Sequence, residues 1–567
     1  MRLPPKSHAT QAQPARPHRV LLSSEVARSQ RLRASAVVVG VGIAFATVAG
    51  QLAMLAATGG SDIVLTLNEP IAKSFARPDI VDRGGRLLAT DVEMPSLFAD
   101  PSLIGSPDEA TEKLATVLPG LDEADLRRQL EDRSKRFVWI RRGISPKTAQ
   151  AVHDLGLPGL SFRDELRRAY PLERLAGHTL GQVNVDNRGV GGIERYIDDT
   201  IGVEAVHGAT LSSGVATRLS LDLGAQHSLE DELRQAMSRY EAKGAAGLVM
   251  DVETGELLAA SSLPGLDPSF PLEARDPNRA DRLQGGTYEL GSIFKAFTVA
   301  MALEDGKAID TMVDVTQPLT AGRFTITDTH PSGKPLSVAD VFIRSSNVGA
   351  GMLALMAGQE RQREFLEKLG LLDMTLRTEA GPVAPPQIPQ RIGRAEQITI
   401  SYGHGIAVAP IQVAAAAASL INGGERVSPT FLRRADGASS ARTRVVSEAT
   451  SKNVCELFRR NVTDAHGTGK RADVPGYRVG GKTGTAEMPG RGGGYSEKAV
   501  ISSFLAAFPM DAPKYLVMIS LFEPKGTDET KGEILAGLNA APTAGRVIAR
   551  IAPMLGVVAD GAVAQAD

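Results

Sequence analysis

The hydrophobic and polar positions separate an uncharged apolar run near the start of the chain from a long amphipathic remainder. No charged residue occurs between Ala34 and Ser61. The core of this run, AVVVGVGIAFATVAGQLAMLAA, has about 22 residues, and a helix of that length spans a bilayer at about 1.5 Å per residue. The apolar region of a cleaved signal peptide is shorter, at about 7–15 residues. The pattern therefore predicts a transmembrane helix over residues 34–57.

After this run, the pattern up to residue 205 mixes strand-like and helix-like segments. The stretch Arg77–Val92 alternates apolar residues around a Gly84-Gly85 turn, which predicts a hairpin. Two further segments, EATEKLATVL and EADLRRQLED, have apolar positions at helical spacing and charged outer faces. Together they predict a mixed α and β domain over residues 62–205.

A second domain is predicted over residues 215–556, followed by a short tail over 557–567. Its strand-like runs GLVMDV and ELLAASS are joined by a Glu253-Thr254-Gly255 turn. Three more strand-like runs, VGGKTGTA, AVISSFLAAF and YLVMISLFE, precede a closing helix, GRVIARIAPML. A mostly helical section separates the two sets of strands. A single sheet assembled from distant parts of the chain, with helices around it, is an α+β fold.

The charge balance and the cysteine content exclude two classes of protein. The 567 residues include 63 Lys and Arg against 65 Asp and Glu, for a net charge of -2. This balance is unlike that of a nucleic-acid-binding protein, which needs a basic surface for phosphate contacts. The single cysteine, Cys455, cannot form an intramolecular disulfide, and no Cys/His spacing predicts a metal site. No cofactor is predicted either.

The charges before the apolar run predict the orientation of the chain in a membrane. Residues 1–33 contain seven Lys and Arg, one acidic residue and four prolines, which is typical of a disordered basic tail. Positive charge stays on the cytoplasmic side of a membrane. We therefore expect this tail inside the cell and everything after Gly60 outside it.

Ser292 and Lys295 are the first residues whose spacing indicates catalysis. Ser292 is the only serine placed three residues before a lysine, and it lies at the predicted start of a helix, so both side chains share one face. A serine hydroxyl becomes a good nucleophile when a neighbouring base takes its proton, and a lysine of depressed pKa can do this. An N-cap serine followed by a surface lysine is the structural alternative.

Two later motifs contain side chains that suit peptide chemistry. Ser345 and Asn347 place a hydroxyl and an amide two residues apart, suited to moving a proton and holding a peptide carbonyl. A polar turn is the alternative. Lys482, Thr483 and Thr485 surround Gly484 in the strand-like VGGKTGTA, whose glycines allow a ligand to approach the backbone closely. An extended peptide could pair with such an edge and place its carboxylate near the lysine.

The same segment also satisfies a phosphate-binding pattern. Residues 476–483, GYRVGGKT, match GxxxxGK[ST]. That motif needs a buried strand before it and a helix after it. The flanking segments GTGKRADVP and TAEMPGRGGG favour neither, so we do not predict a nucleotide site.

Taken together, Ser-x-x-Lys, Ser-x-Asn and Lys-Thr-Gly in this order resemble the motifs of penicillin-binding proteins and serine β-lactamases. Further segments resemble the class B penicillin-binding proteins: Asp82-Arg83-Gly84-Gly85, Arg168-Ala169-Tyr170-Pro171, His178, Gly192-Ile193-Glu194, Asp251, Thr254-Gly255, Ser401–Ile406 and Gly467-Thr468-Gly469. Ser346-Asn347-Val348-Gly349 and Ala486-Glu487 resemble the cell-division enzyme more than the elongation enzyme. Pro78, Gly84 and Leu290 depart from the family pattern, and the catalytic letters are intact.

The resemblance implies a non-catalytic pedestal (dimerisation-like) domain and a transpeptidase domain with an antiparallel five-stranded sheet flanked by helices. It also implies D,D-transpeptidation, in which Ser292 attacks the carbonyl between the terminal D-alanines of a peptidoglycan stem peptide and forms an acyl-enzyme. The N–H groups of Ser292 and Thr485 would stabilise the oxyanion. Ser345 would pass a proton to the leaving amine, and Lys482, Thr483 and Thr485 would face the terminal carboxylate.

Strand alternation sends Lys482 and Thr483 to opposite faces, so we expect a glycine-permitted irregularity between them. For Lys295 to act as a base, burial and a second cation at Lys482 would have to lower its pKa. Lys482 itself is expected to stay charged.

The resemblance also implies where the protein acts and what it contacts. It would be a single-pass inner-membrane protein with a periplasmic catalytic domain at the division site. Stem peptides ending in D-Ala-D-Ala would be substrates, and β-lactams would be covalent inhibitors. The lipid bilayer, a membrane glycan polymerase and other division proteins would be partners, and no nucleic acid is expected. A β-lactamase or β-lactam sensor, an elongation-class transpeptidase and a non-enzymatic divisome scaffold are the alternatives.

Overall fold

The computed structural model describes residues 35–50, 76–201, 216–322, 324–434, 443–489 and 495–560. The chain divides into two compact units, Met1–Lys73 and Ser74–Asp567. In the first unit, residues 35–50 form helix α1, and their side chains are exposed. Across the described ranges, no helix combines the length and the apolar character needed to cross a membrane. The predicted basic tail, the remainder of the predicted transmembrane helix and residues 561–567 lie outside the described residues.

The pedestal region begins with a five-stranded sheet. The sheet has the order β3–β2–β1–β7, and β4 also pairs with the long strand β2. The β1–β2 pair is the hairpin that the Gly84-Gly85 turn predicts. The strands of the region are β1 (Ile80–Val81), β2 (Leu87–Ala99), β3 (Val138–Arg141), β4 (Leu160–Ala169), β5 (Gln182–Val183), β6 (Gly189–Gly191) and β7 (Thr217–Arg218).

The helices of the pedestal region cover one face of this sheet. Leu97 and Ala99 of β2 pack against Ala110, Leu114 and Leu126 in one buried cluster. The two segments predicted as helices in this region form α2 and α3. The helices are α2 (Pro107–Val117), α3 (Glu123–Glu131), α4 (Pro146–Asp154), α5 (Gly177–Leu180) and α6 (Gly192–Ile201).

Paired charges are buried in the pedestal. The guanidinium of Arg168 is fully buried and lies 2.6 Å from the Glu194 carboxylate and 3.2 Å from that of Asp91. Arg77 reaches the same Glu194 at 2.9 Å. Buried charges are tolerated when each has a partner, so these ion pairs link β2, β4 and α6.

The predicted domain boundary at residue 215 is followed by a strand that belongs to the pedestal sheet. Thr217–Arg218 pair in parallel with Ile80–Val81 of β1. The chain then enters helix α7 (Leu223–Arg239), whose first turn is capped by the Asp222 side chain. The pedestal region and the predicted transpeptidase domain, here named the catalytic region, both lie within the unit Ser74–Asp567.

A second five-stranded sheet organises the catalytic region. Its order is β18–β19–β20–β8–β9, and all four pairings are antiparallel. Strands from both ends of the domain thus form one sheet, as the pattern predicts. The strands of the region are β8 (Gly244–Asp251), β9 (Leu257–Leu263), β10 (Met312–Val313), β11 (Leu319–Ala321), β12 (Phe324–Ile326), β13 (Leu336–Ser337), β14 (Arg377–Thr378), β15 (Gly381–Pro382), β16 (Glu425–Arg426), β17 (Thr443–Arg444), β18 (Gly480–Pro489), β19 (Tyr495–Phe508) and β20 (Tyr515–Phe522).

Helices cover both faces of the catalytic sheet. On the back face, α7 places Ala225, Leu229 and Leu233 at helical spacing against Phe504 and Ile519. On the front face, Phe297 and Phe458 pack in a separate cluster with Leu505. The remaining helices are α8 (Lys295–Glu304), α9 (Val338–Ile343), α10 (Asn347–Ala357), α11 (Gln359–Lys368), α12 (Arg394–Ile400), α13 (Pro410–Ile421), α14 (Glu448–Thr463) and α15 (Ala540–Met554).

Candidate active site

Ser292 lies in a short 3₁₀ turn, Gly291–Phe294, that leads directly into α8. Gly291 has a φ of +55°, and a Cβ there would lie 2.7 Å from the Thr485 carbonyl oxygen. A glycine is therefore needed for the turn to approach β18. One helical turn after Ser292, Lys295 places its Nζ 2.9 Å from the Ser292 Oγ. The hydroxyl and the amine are side by side, as the spacing predicts.

The Lys295 side chain is fully buried and has four polar neighbours. Its Nζ lies 2.6 Å from the Ser345 carbonyl oxygen and 2.7 Å from Asn347 Oδ1. The hydroxyl oxygens of Ser292 and Ser345 are at 2.9 and 3.0 Å. A neutral amine has two N–H groups, which the carbonyl and the amide oxygen accept. Its lone pair is then left to accept a proton from a hydroxyl.

The electrostatics of the site favour this neutral form. Burial, and then the positive charge of Lys482, lower the pKa of Lys295 well below its ordinary value of 10.5. These are the two causes that the sequence predicts. The Asp328 carboxylate acts in the opposite direction. The lowered pKa therefore favours the form of Lys295 that can take the Ser292 proton.

Ser345 lies between the two lysines on a strained piece of backbone. Its φ of +60° is in the left-handed region, which a residue with a side chain rarely adopts. The Ser345 Oγ is 3.0 Å from the Nζ of Lys295 and 3.0 Å from that of Lys482. Ser346 follows as the N-cap of α10 and accepts the Gly349 N–H at 2.8 Å. This turn brings the Ser345 hydroxyl and the Asn347 amide to one lysine.

Lys482 enters the site from strand β18 and is also fully buried. Its Nζ lies 3.2 Å from the Thr483 carbonyl oxygen and 5.7 Å from the centre of the Phe342 ring. Burial lowers the pKa of Lys482 to about 7. The expectation of a permanently charged lysine therefore needs revision, because the ammonium form holds only at and below neutral pH.

The expected irregularity in β18 is absent at Lys482 and Thr483. The pairing with β19 runs one to one from Gly480 to Glu487 and shifts only between Glu487 and Met488. Lys482 therefore points to the front face and Thr483 to the back face. Because β18 lies at the edge of the described sheet, its back-face residue Thr483 lines the cleft, while Lys482 on the front face reaches the Ser345 hydroxyl at the wall of the cleft.

The back-face side chains of β18 form a second wall of the cleft. Thr483 Oγ1 is 2.7 Å from Thr468 Oγ1, and Thr485 Oγ1 accepts the Ala536 N–H at 3.1 Å. Gly484 lies between them, and a Cβ there would be 2.2 Å from the Leu290 carbonyl oxygen. The absence of a side chain thus lets β18 pack directly on the turn that carries Ser292.

A cleft of about 780 Å³ opens onto these residues, and Ser292, Ser345, Asn347, Thr483 and Thr485 all line it. Its charged lining includes the cations Arg344, Lys470 and Arg471 and the acids Asp328 and Glu487. These three cations outnumber the two acids, and the Lys482 ammonium adds to the positive charge nearby, which suits an anionic ligand.

Thr468, His404 and Asp328 are among the residues that line the cleft but were not predicted as site residues. Thr468 was noted only for its Gly-Thr-Gly segment, and His404 only for the SYGHGI stretch. Asp328 was not noted at all, because its contact with Ser346 spans 18 residues and no spacing rule connects them.

The phosphate-loop pattern does not form a nucleotide site. Lys482 and Thr483 lie inside strand β18 and are not followed by a helix, so the helix N-terminus that binds phosphate in such loops is missing. Among the described residues, no group of three or more His, Cys, Asp and Glu side chains is arranged to hold a metal ion.

Two family models match the chain. Residues 245–540 match the penicillin binding protein transpeptidase domain, and residues 73–202 match the penicillin-binding protein dimerisation domain. The first match contains the Ser292, Ser345 and Lys482 motifs. The second covers the pedestal sheet up to α6.

Individual relatives agree with these family matches. The chain is 39% identical over 489 residues to the probable peptidoglycan D,D-transpeptidase FtsI of Caulobacter vibrioides, covering 85% of this chain and 82% of the relative. It is 27% identical to the peptidoglycan D,D-transpeptidase FtsI of Escherichia coli K12, over 86% and 85% of the two chains.

The solved transpeptidase domain of penicillin-binding protein 3 from Burkholderia pseudomallei superposes with a TM-score of 0.54 at 30% identity. This similarity covers 60% of our chain and 97% of that one. The two matched domains, the extent of these similarities and the assembled motifs together show that the chain belongs to the class B penicillin-binding proteins.

Proposed function

We propose that this protein is a peptidoglycan D,D-transpeptidase that crosslinks stem peptides during septal cell-wall synthesis. The observation that carries the proposal is the contact between Ser292 Oγ and the buried Lys295 Nζ at 2.9 Å, beside an edge strand that can accept a peptide. The relatives named FtsI support the septal assignment over an elongation role.

Acylation begins at Ser292. Its Oγ attacks the carbonyl carbon between the two terminal D-alanines, while Lys295 Nζ takes the hydroxyl proton. The N–H groups of Ser292 and Thr485 donate to the oxygen that becomes negative. Asn347 positions the peptide backbone. These residues act together because β18 packs on the 3₁₀ turn that carries Ser292, and the start of α10 places Asn347 against Lys295 at the start of α8.

Collapse of the tetrahedral intermediate breaks the peptide bond and expels D-alanine. The leaving nitrogen needs a proton, which Ser345 supplies from its hydroxyl and recovers from a neighbouring lysine. Its Oγ is within 3.0 Å of both amines, so one rotating hydroxyl connects them to the leaving group. The product is an ester between Ser292 and the shortened stem.

The terminal carboxylate of the stem binds on the β18 side of the cleft. Lys482 supplies positive charge, and the hydroxyls of Thr483 and Thr485 donate hydrogen bonds at the back-face wall, next to the close-packed Gly484. A β-lactam carries a carboxylate beside its strained amide, so it occupies the same position and acylates Ser292. An amine from a second stem resolves the natural acyl-enzyme into a crosslink.

The N-terminal segment anchors the enzyme in this proposal. The uncharged run from Ala34 to Ser61, preceded by a basic tail, supports a single inner-membrane span with the catalytic region in the periplasm. Its small residues Gly40, Gly42 and Ala44 permit close packing of a second helix. Such a helix would come from a membrane glycan polymerase or another division protein.

The pedestal separates this function from the two alternatives that share its motifs. A β-lactamase or a β-lactam sensor needs the catalytic domain only, whereas residues 73–202 match a dimerisation domain.

A scaffold without activity would not need two buried lysines at a serine. Burying amines without ion-pair partners is costly, and activation of the serine explains why the chain retains them.

The test is covalent labelling of the full chain by penicillin, read by intact mass. We expect one adduct on the parent and on Ser428→Ala, which changes an exposed serine outside the cleft. We expect none on Ser292→Ala. D-alanine release from a stem pentapeptide with an amine acceptor then tests transpeptidation. An adduct on Ser292→Ala, or a parent that binds penicillin but joins no acceptor, would contradict the proposal.

A further inference from the structure

Asp328 is a carboxylate at the active site that the mechanism above does not use. It lies in the loop after β12 and lines the cleft. Its Oδ2 accepts the Ser346 hydroxyl at 2.6 Å. Its Oδ1 accepts two backbone N–H groups, from Asn347 at 2.5 Å and from Val348 at 3.0 Å. One side chain thus receives three hydrogen bonds from the turn that carries Ser345 and Asn347.

The geometry of that turn needs an outside support. Ser345 is held at a φ of +60°, a conformation that is unfavourable for a residue with a side chain and persists where neighbouring structure imposes it. Asp328 binds the next residues on, at the start of α10. A negative charge there is also favoured by the helix dipole. The Asp328 carboxylate therefore stabilises the turn both by accepting hydrogen bonds from it and by its negative charge at the start of α10.

The Ser345–Asn347 turn also holds the base, Lys295. The Ser345 carbonyl and Asn347 Oδ1 are the two groups that accept the N–H bonds of Lys295, at 2.6 and 2.7 Å. If either acceptor moves, the lone pair of the amine no longer points at the Ser292 hydroxyl. Displacement of reacting groups by about 1 Å can cost of the order of 10²-fold in rate.

We propose that Asp328 is a positioning residue for acylation, which sets the Ser345–Asn347 turn and, through it, the orientation of Lys295, and whose charge acts directly on the same amine. The proposal rests on the proposed function of this site. Asp328 needs no contact with the substrate in this role. Its effect on geometry reaches Ser292 through Ser346, Asn347 and Lys295, and its charge acts on Lys295 directly.

The electrostatic part of the role has a definite sign. Two groups act on the charge of Lys295 besides burial: Lys482 lowers its pKa and Asp328 raises it. Other titratable or charged groups that line the cleft are His330, Arg344, Tyr402, His404, Lys470, Arg471 and Glu487. Removing the negative charge of Asp328 should lower the pKa of Lys295 further, so the neutral base would persist to lower pH.

The test is Asp328→Asn in the full chain, with penicillin acylation followed across pH. At neutral pH we expect a rate about 10-fold or more below that of the parent, since the turn is displaced. The rising limb of the pH profile should move to lower pH, so the difference from the parent shrinks as the pH falls. Asp340→Asn is the control, because the Asp340 carboxylate accepts the Ser337 hydroxyl at 2.9 Å at the start of α9. It should keep the parent rate and profile.

Thermal melts show whether each variant folds, and the position of the rising limb of the pH profile separates this role from a structural one. A slower variant whose rising limb stays in place would make Asp328 a structural residue only and overturn the proposal, as would a parent-like rate. If Asp328→Asn does not fold, Ser346→Ala removes one of the three bonds and keeps the charge. Ser346→Ala should then be acylated more slowly than the parent, with the rising limb of its pH profile unmoved. A parent-like rate would overturn the proposal. A parent that is not acylated at all would instead contradict the proposed function.

Discussion

At the scale of single residues, the Ser-x-x-Lys motif predicts part of what makes Lys295 a base. The Ser-x-x-Lys spacing alone predicts that hydroxyl and amine are neighbours, and general electrostatics predicts the direction of the pKa. The distribution of the amine's hydrogen bonds was not predictable. It depends on the Ser345 carbonyl and on Asn347, about 50 residues further along the chain, and on a left-handed Ser345 that no residue preference indicates.

The two lysines predict a bell-shaped pH dependence of penicillin acylation. Lys295 is active when neutral, so the rate should rise with pH as its lowered pKa is passed. Lys482 attracts the carboxylate when charged, so the rate should fall as the pH rises through its pKa of about 7. Arginine stays charged, and Lys482→Arg should therefore lose the falling limb and keep the rising one. A falling limb at the parent's pH in that variant would assign it to another group.

At the scale of elements, the site depends on an edge strand that packs against a helix start. Four strands of the catalytic sheet were predictable because each is a mostly apolar run bounded by turns, and β18 was predicted from the strand-like VGGKTGTA. It was not predictable that Lys482 and Thr483 both lie at the active site, Thr483 in the cleft lining and Lys482 against Ser345. Alternation separates them correctly, and only the position of β18 at the edge of the sheet, a long-range property, brings both faces to the site.

The contact between β18 and the Ser292 turn predicts the effect of Gly484→Ala. The new Cβ would lie 2.2 Å from the Leu290 carbonyl and 2.9 Å from Ile293 Cγ1, so the turn must move away from the strand. We expect a loss of about 1–3 kcal/mol in the free energy of unfolding, with slower acylation by penicillin. Chemical denaturation and timed acylation would measure both.

Gly191→Ala is the matched control for Gly484→Ala, since Gly191 also lies in a strand and has open space where a Cβ would be. It should leave the acylation rate of the parent unchanged. Equal rates for Gly484→Ala and the parent would mean that β18 does not position Ser292.

At the scale of the whole molecule, the sequence indicated two folded regions but not how closely they join. The predicted boundary at residue 215 is followed by β7, which pairs with β1 of the pedestal. Arg83 of the pedestal also donates its N–H to the Leu221 carbonyl at 2.8 Å. Two-residue pairings of this kind have no periodicity, so hydrophobic patterning cannot find them.

The charge bias predicts the membrane topology of the full chain. A reporter that works only in the periplasm should be active when fused after Asp567. The same reporter fused after Arg33 should be silent, because the Lys and Arg excess before the apolar run keeps that segment inside. An inactive but stable fusion after Asp567 would place the catalytic region in the cytoplasm, away from peptidoglycan.

The division of labour between the two lysines is most directly tested by timed penicillin acylation of purified Lys295→Arg and Lys482→Arg, with thermal melts to confirm folding. Arginine cannot accept the Ser292 proton but can hold a carboxylate. Lys295→Arg should therefore lose acylation by a factor of the order of 10² or more, whereas Lys482→Arg should keep a measurable fraction. Acylation of folded Lys295→Arg at the parent rate would show that Lys295 is not the base.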